Sequence, residues 1–240
     1  MFNLFKRRSI EVPIQATCPY CSYMLEKFPS RKQKCSSCGK TFVVRTHYET
    51  RQKLVLTETD AVKFDAEKDK YYLDKSLLDG IKKYIYVDRG AVDKLVEKTR
   101  IELTKKFGKP AALGDVAWGV ANRMSIDAMR KGDMALLGMI QFQMALYLHY
   151  SGKDGRHLLV SAFEIELMNY RKMGVTQVSM IATSCCEACK TVDGKIISID
   201  EAIREKILPN IQCTSKLNPS APTGWCSCCY SPVPDSIKLV

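Results

Sequence analysis

The sequence predicts an α+β chain in three parts, a mainly helical middle between two small cysteine-rich modules. Three observations carry that expectation. The 11 cysteines sit near the two ends, mostly as C-x-x-C or C-x-C. The stretch between them has no cysteine and repeats a pattern of cap residue, apolar stripe and glycine. Runs rich in β-branched residues lie beside the cysteines. The parts are residues 1–56, 57–174 and 175–240.

The first part is read as a zinc ribbon. Cys18-Pro-Tyr-Cys21 and Cys35-Ser-Ser-Cys38-Gly39 are two C-x-x-C units separated by 13 residues. Each such turn presents two thiolates to one ion, and four complete a tetrahedron. All four ligands are cysteine, so no position stays open for water or substrate, and the expected role is structural. About 56 residues build little core, so the metal would supply folding energy. Gly39 suits a tight knuckle, Ser22 suits it less well, and Thr41–Val44 reads as a strand. Lys27, Arg31, Lys32, Lys34, Lys40 and Arg45 are interleaved with Tyr20, Phe28 and Phe42. Cations for phosphate and rings for stacking make this a candidate nucleic-acid face. The competing reading has the rings pack the ribbon and the charges solvate its loops.

In the middle part, Thr57 and Asp60 mark a helix start. A second helix spans about Ala91–Phe107, with Val92, Leu95, Val96, Thr99 and Leu103 on one face, and ends at Gly108-Lys-Pro110. Asp115 is the expected cap of a third helix reaching Arg130, and Asp133 that of a fourth, Met134–Tyr150. Asp154 opens a fifth, with Leu158, Ala162, Ile165 and Met168 sharing a face. The short connections imply antiparallel neighbours around one continuous core. Met134–Tyr150 is shorter than the roughly 20 residues of a membrane span and contains Gln141, Gln143 and His149, so it reads as a buried core helix. Ala128 and Ala162 lie 34 residues apart, a helical-repeat period. The other repeat positions do not align, so the region is taken as helical hairpins.

Beyond Gly174, Val175–Thr183 reads as a strand leading into Cys185, Cys186, Cys189, Cys213, Cys226, Cys228 and Cys229. Seven thiols exceed one tetrahedral site. Cys186 and Cys189 form one pair, and the second comes from Cys213, Cys226 and Cys228, with Cys185 and Cys229 spare. One zinc is expected here, against free buried thiols or a binuclear cluster.

Cys186-Glu-Ala-Cys189-Lys-Thr-Val-Asp193-Gly194-Lys195-Ile196, then Ile199-Asp-Glu-Ala202, Leu208-Pro209 and Cys226-Ser-Cys228, resembles the C-terminal motif of the minor head protein (head-morphogenesis) family of tailed phages. The resemblance covers about residues 183–230. It implies a zinc-binding tail, capsid or portal proteins as partners and a virion association. Gly224-Trp225 stand where the family has His-Pro, which makes Cys213 the candidate for that histidine's metal role, and Ser227 replaces the usual Arg. The family does not normally open with a ribbon. The whole chain is similar to uncharacterised prokaryotic proteins with a ribbon, a helical middle and this tail, which implies an architecture and no activity.

Composition bounds the rest. A hydrophobic fraction of 46% with 26% charged residues excludes wholesale disorder. The net charge of +11 is densest at the N-terminus: residues 1–60 hold 11 Lys/Arg against 5 Asp/Glu, while residues 185–240 hold 6 of each. That excess favours nucleic acid. Residues 1–10 make no convincing signal peptide, and clustered metal-type thiols fit a reducing compartment, so a cytoplasmic protein without membrane contact is expected. The three histidines, His47, His149 and His157, form no HExxH pair, and no phosphate-loop, dinucleotide or nucleophile-elbow motif occurs. The expectation is a non-enzymatic zinc protein of head-morphogenesis type contacting DNA or protein. The alternatives are a zinc-ribbon regulator and a nuclease whose site is assembled from scattered residues.

Overall fold

The structure is a computed structural model that describes residues 16–84, 87–182 and 186–234. Cys185 and the first fifteen residues lie outside the described residues. Two compact units divide the chain, Met1–Lys70 and Tyr71–Val240.

In the first unit, β1 (Gln33–Lys34), β2 (Thr41–Thr46) and β3 (Lys53–Leu56) form an antiparallel sheet in that order. Phe42 pairs with Gln33, Val43 pairs with Leu56, and Phe42 is fully buried. Thr57 starts α1 (Glu58–Lys82) as expected: its hydroxyl accepts from the Asp60 amide at 3.0 Å and donates to the Asp60 carboxylate at 2.8 Å. The division between the units falls inside this helix, where periodicity gives no sign of it. The sheet is fixed to the first turns of α1 by Arg45, whose guanidinium forks onto Asp65 at 2.7–3.1 Å, and by Tyr48 against Phe64, with ring centroids 5.6 Å apart.

In the second unit, α2 (Arg89–Phe107) starts at Asp88, whose carboxylate accepts from the amides of Gly90 and Ala91, and stops at Gly108 in the left-handed region. For α3 (Leu113–Lys131) the expected cap was misplaced. Ala112 holds the cap position without a side-chain bond, and Asp115 lies in the first turn, where a carboxylate still favours the helix dipole. Asp133 caps α4 (Met134–Tyr150) as read. α5 (Arg156–Lys172) starts from Gly155, with Asp154 accepting from the Arg156 amide. Gly155 sits where a Cβ would come within 2.6 Å of the Ala145 carbonyl, so only glycine lets α4 and α5 turn this tightly.

β4 (Gln177–Ile181), α6 (Glu187–Lys190), β5 (Ile196–Ser198), α7 (Ile199–Glu205) and β6 (Cys229–Pro232) follow, the strands forming an antiparallel sheet ordered β5-β4-β6. The apolar interior lies in two main clusters. One joins Leu77, Ile81, Val92, Val116, Val120 and Ile140 from α1 to α4. The other joins Phe163 and Leu167 of α5 to Val178, Met180, Ala202 and the buried cysteines. Leu158 packs against both. The core therefore crosses the composition change near Gly174 without a break. Met168, expected on the apolar face of α5, is 48% exposed, because β4 and α7 pack along the Phe163–Leu167 side. No helix among the described residues is long and apolar enough to cross a membrane.

Candidate metal centres

The ribbon's two knuckles are built alike. The amide of Ser22 bonds the Cys18 carbonyl and that of Gly39 the Cys35 carbonyl, both at 2.9 Å. The Cys18 amide bonds the Tyr23 carbonyl and the Cys35 amide that of Lys40. Both turns need a left-handed residue after the second cysteine: Gly39 has φ 69° and Ser22 φ 60°. The serine carries a steric cost that the glycine avoids. The four sulfurs lie within 4.8 Å of one another, with Cys18–Cys38 and Cys21–Cys35 each 3.8 Å apart. An ion binding four sulfurs tetrahedrally at about 2.3 Å spaces them about 3.8 Å apart. The donor set therefore fits a tetrahedral metal. Around Cys38 the Lys40 amide favours the thiolate, but burial and three neighbouring thiols outweigh it and push the thiol up to about 11. A bound cation would reverse that preference at Cys38.

At the other end, Cys186 caps α6 and Cys189 lies within it. Cys213 comes from the loop after α7, and Cys226 and Cys228 from the approach to β6. These sulfurs form two triangles, Cys186–Cys189–Cys213 and Cys189–Cys226–Cys228, each with all members within 4.8 Å. The Cys186–Cys213 and Cys189–Cys226 edges measure 3.8 and 3.9 Å, again the tetrahedral spacing. Cys189, Cys213, Cys226 and Cys228 are buried. Burial raises the thiols of Cys189, Cys213 and Cys226, whereas the Thr214 amide lowers Cys186 to about 6. Cys229, read as a spare, pairs with Ile181 in the sheet and belongs to neither triangle.

The loop around Cys213 depends on a residue that motif reading undervalued. At Gly224 a Cβ would stand 1.8 Å from the Cys213 carbonyl oxygen, so the two backbones touch there and only glycine fits. The Trp225 amide then bonds the Ser215 carbonyl at 2.6 Å. Gly224-Trp225 thus holds the approach to Cys226 against the Cys213 loop, with the Cys213 thiol 3.5 Å from the Trp225 carbonyl. Asn210 completes the frame, its amide on the Cys226 sulfur at 3.3 Å and its side chain on the Ala188 carbonyl at 2.9 Å.

The candidate nucleic-acid residues divide. Lys27, Arg31 and Lys34 are exposed. Lys32 is exposed but paired with Glu58 at 2.6 Å, and the Lys40 ammonium sits 5.2 Å from the centre of the Tyr20 ring. Arg45 forks onto Asp65, and that pairing holds Asp65 below the ordinary carboxylate range. Phe42 is core, while Tyr23, not singled out from sequence, is 43% exposed in the first knuckle.

No histidine joins a metal group among the described residues. The His47 Nδ1 accepts from the amides of Glu49 and Thr50. His149 is buried, and its Nε2 accepts from the amides of Leu217 and Asn218 at 3.3 Å each. His157 is exposed on α5. A half-open, mainly apolar cavity of about 620 Å³ lies beside Cys226 and Cys228, walled by Met139, Phe142, Phe163 and Trp225 and carrying Glu166 and Tyr170.

Comparison with known proteins finds no family model, no curated protein and no solved structure that matches this chain.

Proposed function

We propose that this chain is a non-enzymatic protein with two structural zinc centres, which binds nucleic acid through its ribbon and belongs with the head-morphogenesis type of phage protein. One observation carries the reading: at both ends thiols converge at the sulfur spacing of a tetrahedral ion, as a closed set of four in the ribbon and as two triangles sharing Cys189 at the C-terminus. Such centres hold backbone segments in place, and the work falls to the surfaces they display. In the ribbon that surface is basic. Lys27, Arg31 and Lys34 supply exposed charge, and Tyr23 supplies a ring for stacking.

Elemental analysis under reducing conditions tests the metal: two zinc ions per chain are expected, and none would remove the reading. Salt-dependent binding to duplex DNA tests the surface. Replacing Lys27, Arg31 and Lys34 together with Ala should lower the salt slope by up to about 2.7, at about 0.9 per phosphate contact, with equal weakening on all sequences. An unchanged slope would turn the ribbon into a protein-docking element. Co-purification with capsid or portal proteins tests the assignment to head assembly.

A further inference from the structure

The C-terminal module brings together one thiol more than a tetrahedral ion uses. Its two sulfur triangles share a single corner, Cys189. No other His, Cys, Asp or Glu among the described residues joins either triangle. Two ions would each have three sulfurs, one of them shared, and each would lack a fourth ligand, whereas structural sites close with four. One ion that draws its four sulfurs from both triangles leaves one thiol over.

Each of the four other sulfurs is placed to serve. Cys186 and Cys213 stand 3.8 Å apart, and Cys226 stands 3.9 Å from Cys189 and takes the Asn210 amide at 3.3 Å. Cys228 completes the second triangle and is 2% exposed. A tetrahedron centred near Cys189 must draw from both triangles, because neither alone has four members.

From this we infer a four-of-five site that pivots on Cys189: one ion takes Cys189 with three of Cys186, Cys213, Cys226 and Cys228, and the remaining thiol stands by as a replacement ligand. The inference rests on the zinc reading above. Exchange conserves charge and needs no oxidant. The incoming thiol gives its proton to water as its bond to zinc forms, and the outgoing thiolate takes a proton as its bond breaks. The ribbon has four sulfurs and no such reserve, so each of its ligands is indispensable.

The test uses the full chain carrying Cys185→Ser, so that this thiol outside the described residues cannot take part. The parent should hold two zinc ions. Cys189→Ser should hold one, as should Cys35→Ser and the double variant Cys226→Ser/Cys228→Ser, which leaves only three C-terminal thiols; a double variant that keeps two zinc ions would overturn the inference. Single Cys→Ser changes at 186, 213, 226 and 228 should each keep two zinc ions, and their cobalt-substituted forms should keep the thiolate charge-transfer intensity of two four-sulfur sites. Any of these four singles that drops to one metal or to a three-sulfur spectrum defines a fixed ligand set and overturns the inference. Three zinc ions per parent chain would overturn it in favour of a binuclear cluster. Alkylation of the zinc-loaded parent, read by mass spectrometry, needs no variant to fold. Label should spread over positions 186, 213, 226 and 228 and spare Cys189, and label confined to one position would overturn the exchange. A parent with a single zinc, lost in Cys35→Ser, would instead remove the C-terminal zinc reading itself.

Discussion

The two cysteine clusters offer an ion the same sulfur spacing in very different surroundings. In the ribbon the buried cluster consists of Cys18, Cys35 and Phe42, so two of its three members are ligand candidates. At the C-terminus the cysteines are embedded among Phe163, Leu167, Val178, Met180, Trp225 and Tyr230. Apolar burial contributes about 25 cal/mol per Å², and the ribbon has little of it. A metal bound to the ribbon would therefore supply much of its fold, whereas one bound at the C-terminus would tie down loops on a core that α4, α5 and β4 already provide. The same motif acts as a foundation in one place and as a fastening in the other.

Metal withdrawal should give the largest contrast. A chelator, or Cys35→Ser, should remove the roughly 10–16 kcal/mol of apparent binding energy typical of small zinc sites. Amide hydrogen exchange across residues 16–56 should then rise to that of an unfolded chain. Protection in α3, α4 and α5 should persist, and equal loss in both places would break the comparison. Glycine substitution gives the next contrast, with the order of the two ends reversed. Gly224→Ala forces a methyl into the Cys213 carbonyl and should cost at least the about 1–3 kcal/mol of an overpacked core. Gly39→Ala meets no atom within 4 Å and strains only its φ of 69°, costing about 1 kcal/mol. Thermal melts of the two variants check this.

A smaller effect should appear with pH. Burial first, and Lys216 second, hold His149 below the ordinary imidazole value. Its neutral Nε2 ties α4 to the Leu217–Asn218 turn. A depressed value means that this contribution is complete above about pH 6.5 and is lost as pH falls toward the lower native value. The imidazole resonances should titrate below the ordinary value, and His149→Ala should flatten that part of the stability profile while costing about 1–3 kcal/mol at neutral pH. The smallest effect belongs to the Arg45–Asp65 pair, which is about one-third exposed. Arg45→Ala should cost below about 1 kcal/mol and less in high salt, as judged by chemical denaturation.

What could be read from the sequence follows physical range. The ribbon's thiols were legible because two short-range turns declare them, and the end of α2 and the start of α4 were legible because Gly108 and Asp133 are local punctuation, whereas the Asp88 cap of α2 was passed over. The start of α3 was not legible, because Ala112 caps without a side-chain signal. The pairing of Arg45 with Asp65 was not legible either, because Asp65 is twenty residues away in sequence. The C-terminal ligands could be named as candidates but not ordered. Cys189 and Cys226 are 37 residues apart, and their pairing depends on the contact of Gly224 with Cys213. Such a contact leaves no pattern along the chain beyond one glycine.

Filling both thiol centres with metal would also alter the chain's electrical character. The formal charge of +11 counts every cysteine as neutral. Four thiolates around one divalent ion carry a net charge of about −2. With both centres filled, the total falls from +11 to about +7. Residues 1–60 fall from +6 to about +4, and residues 185–240 pass from neutral to about −2. Loaded with metal, the chain is polarised along its sequence, basic at the start and acidic at the end. Stripped of metal at neutral pH, it regains four positive charges and should be held more strongly by a cation exchanger.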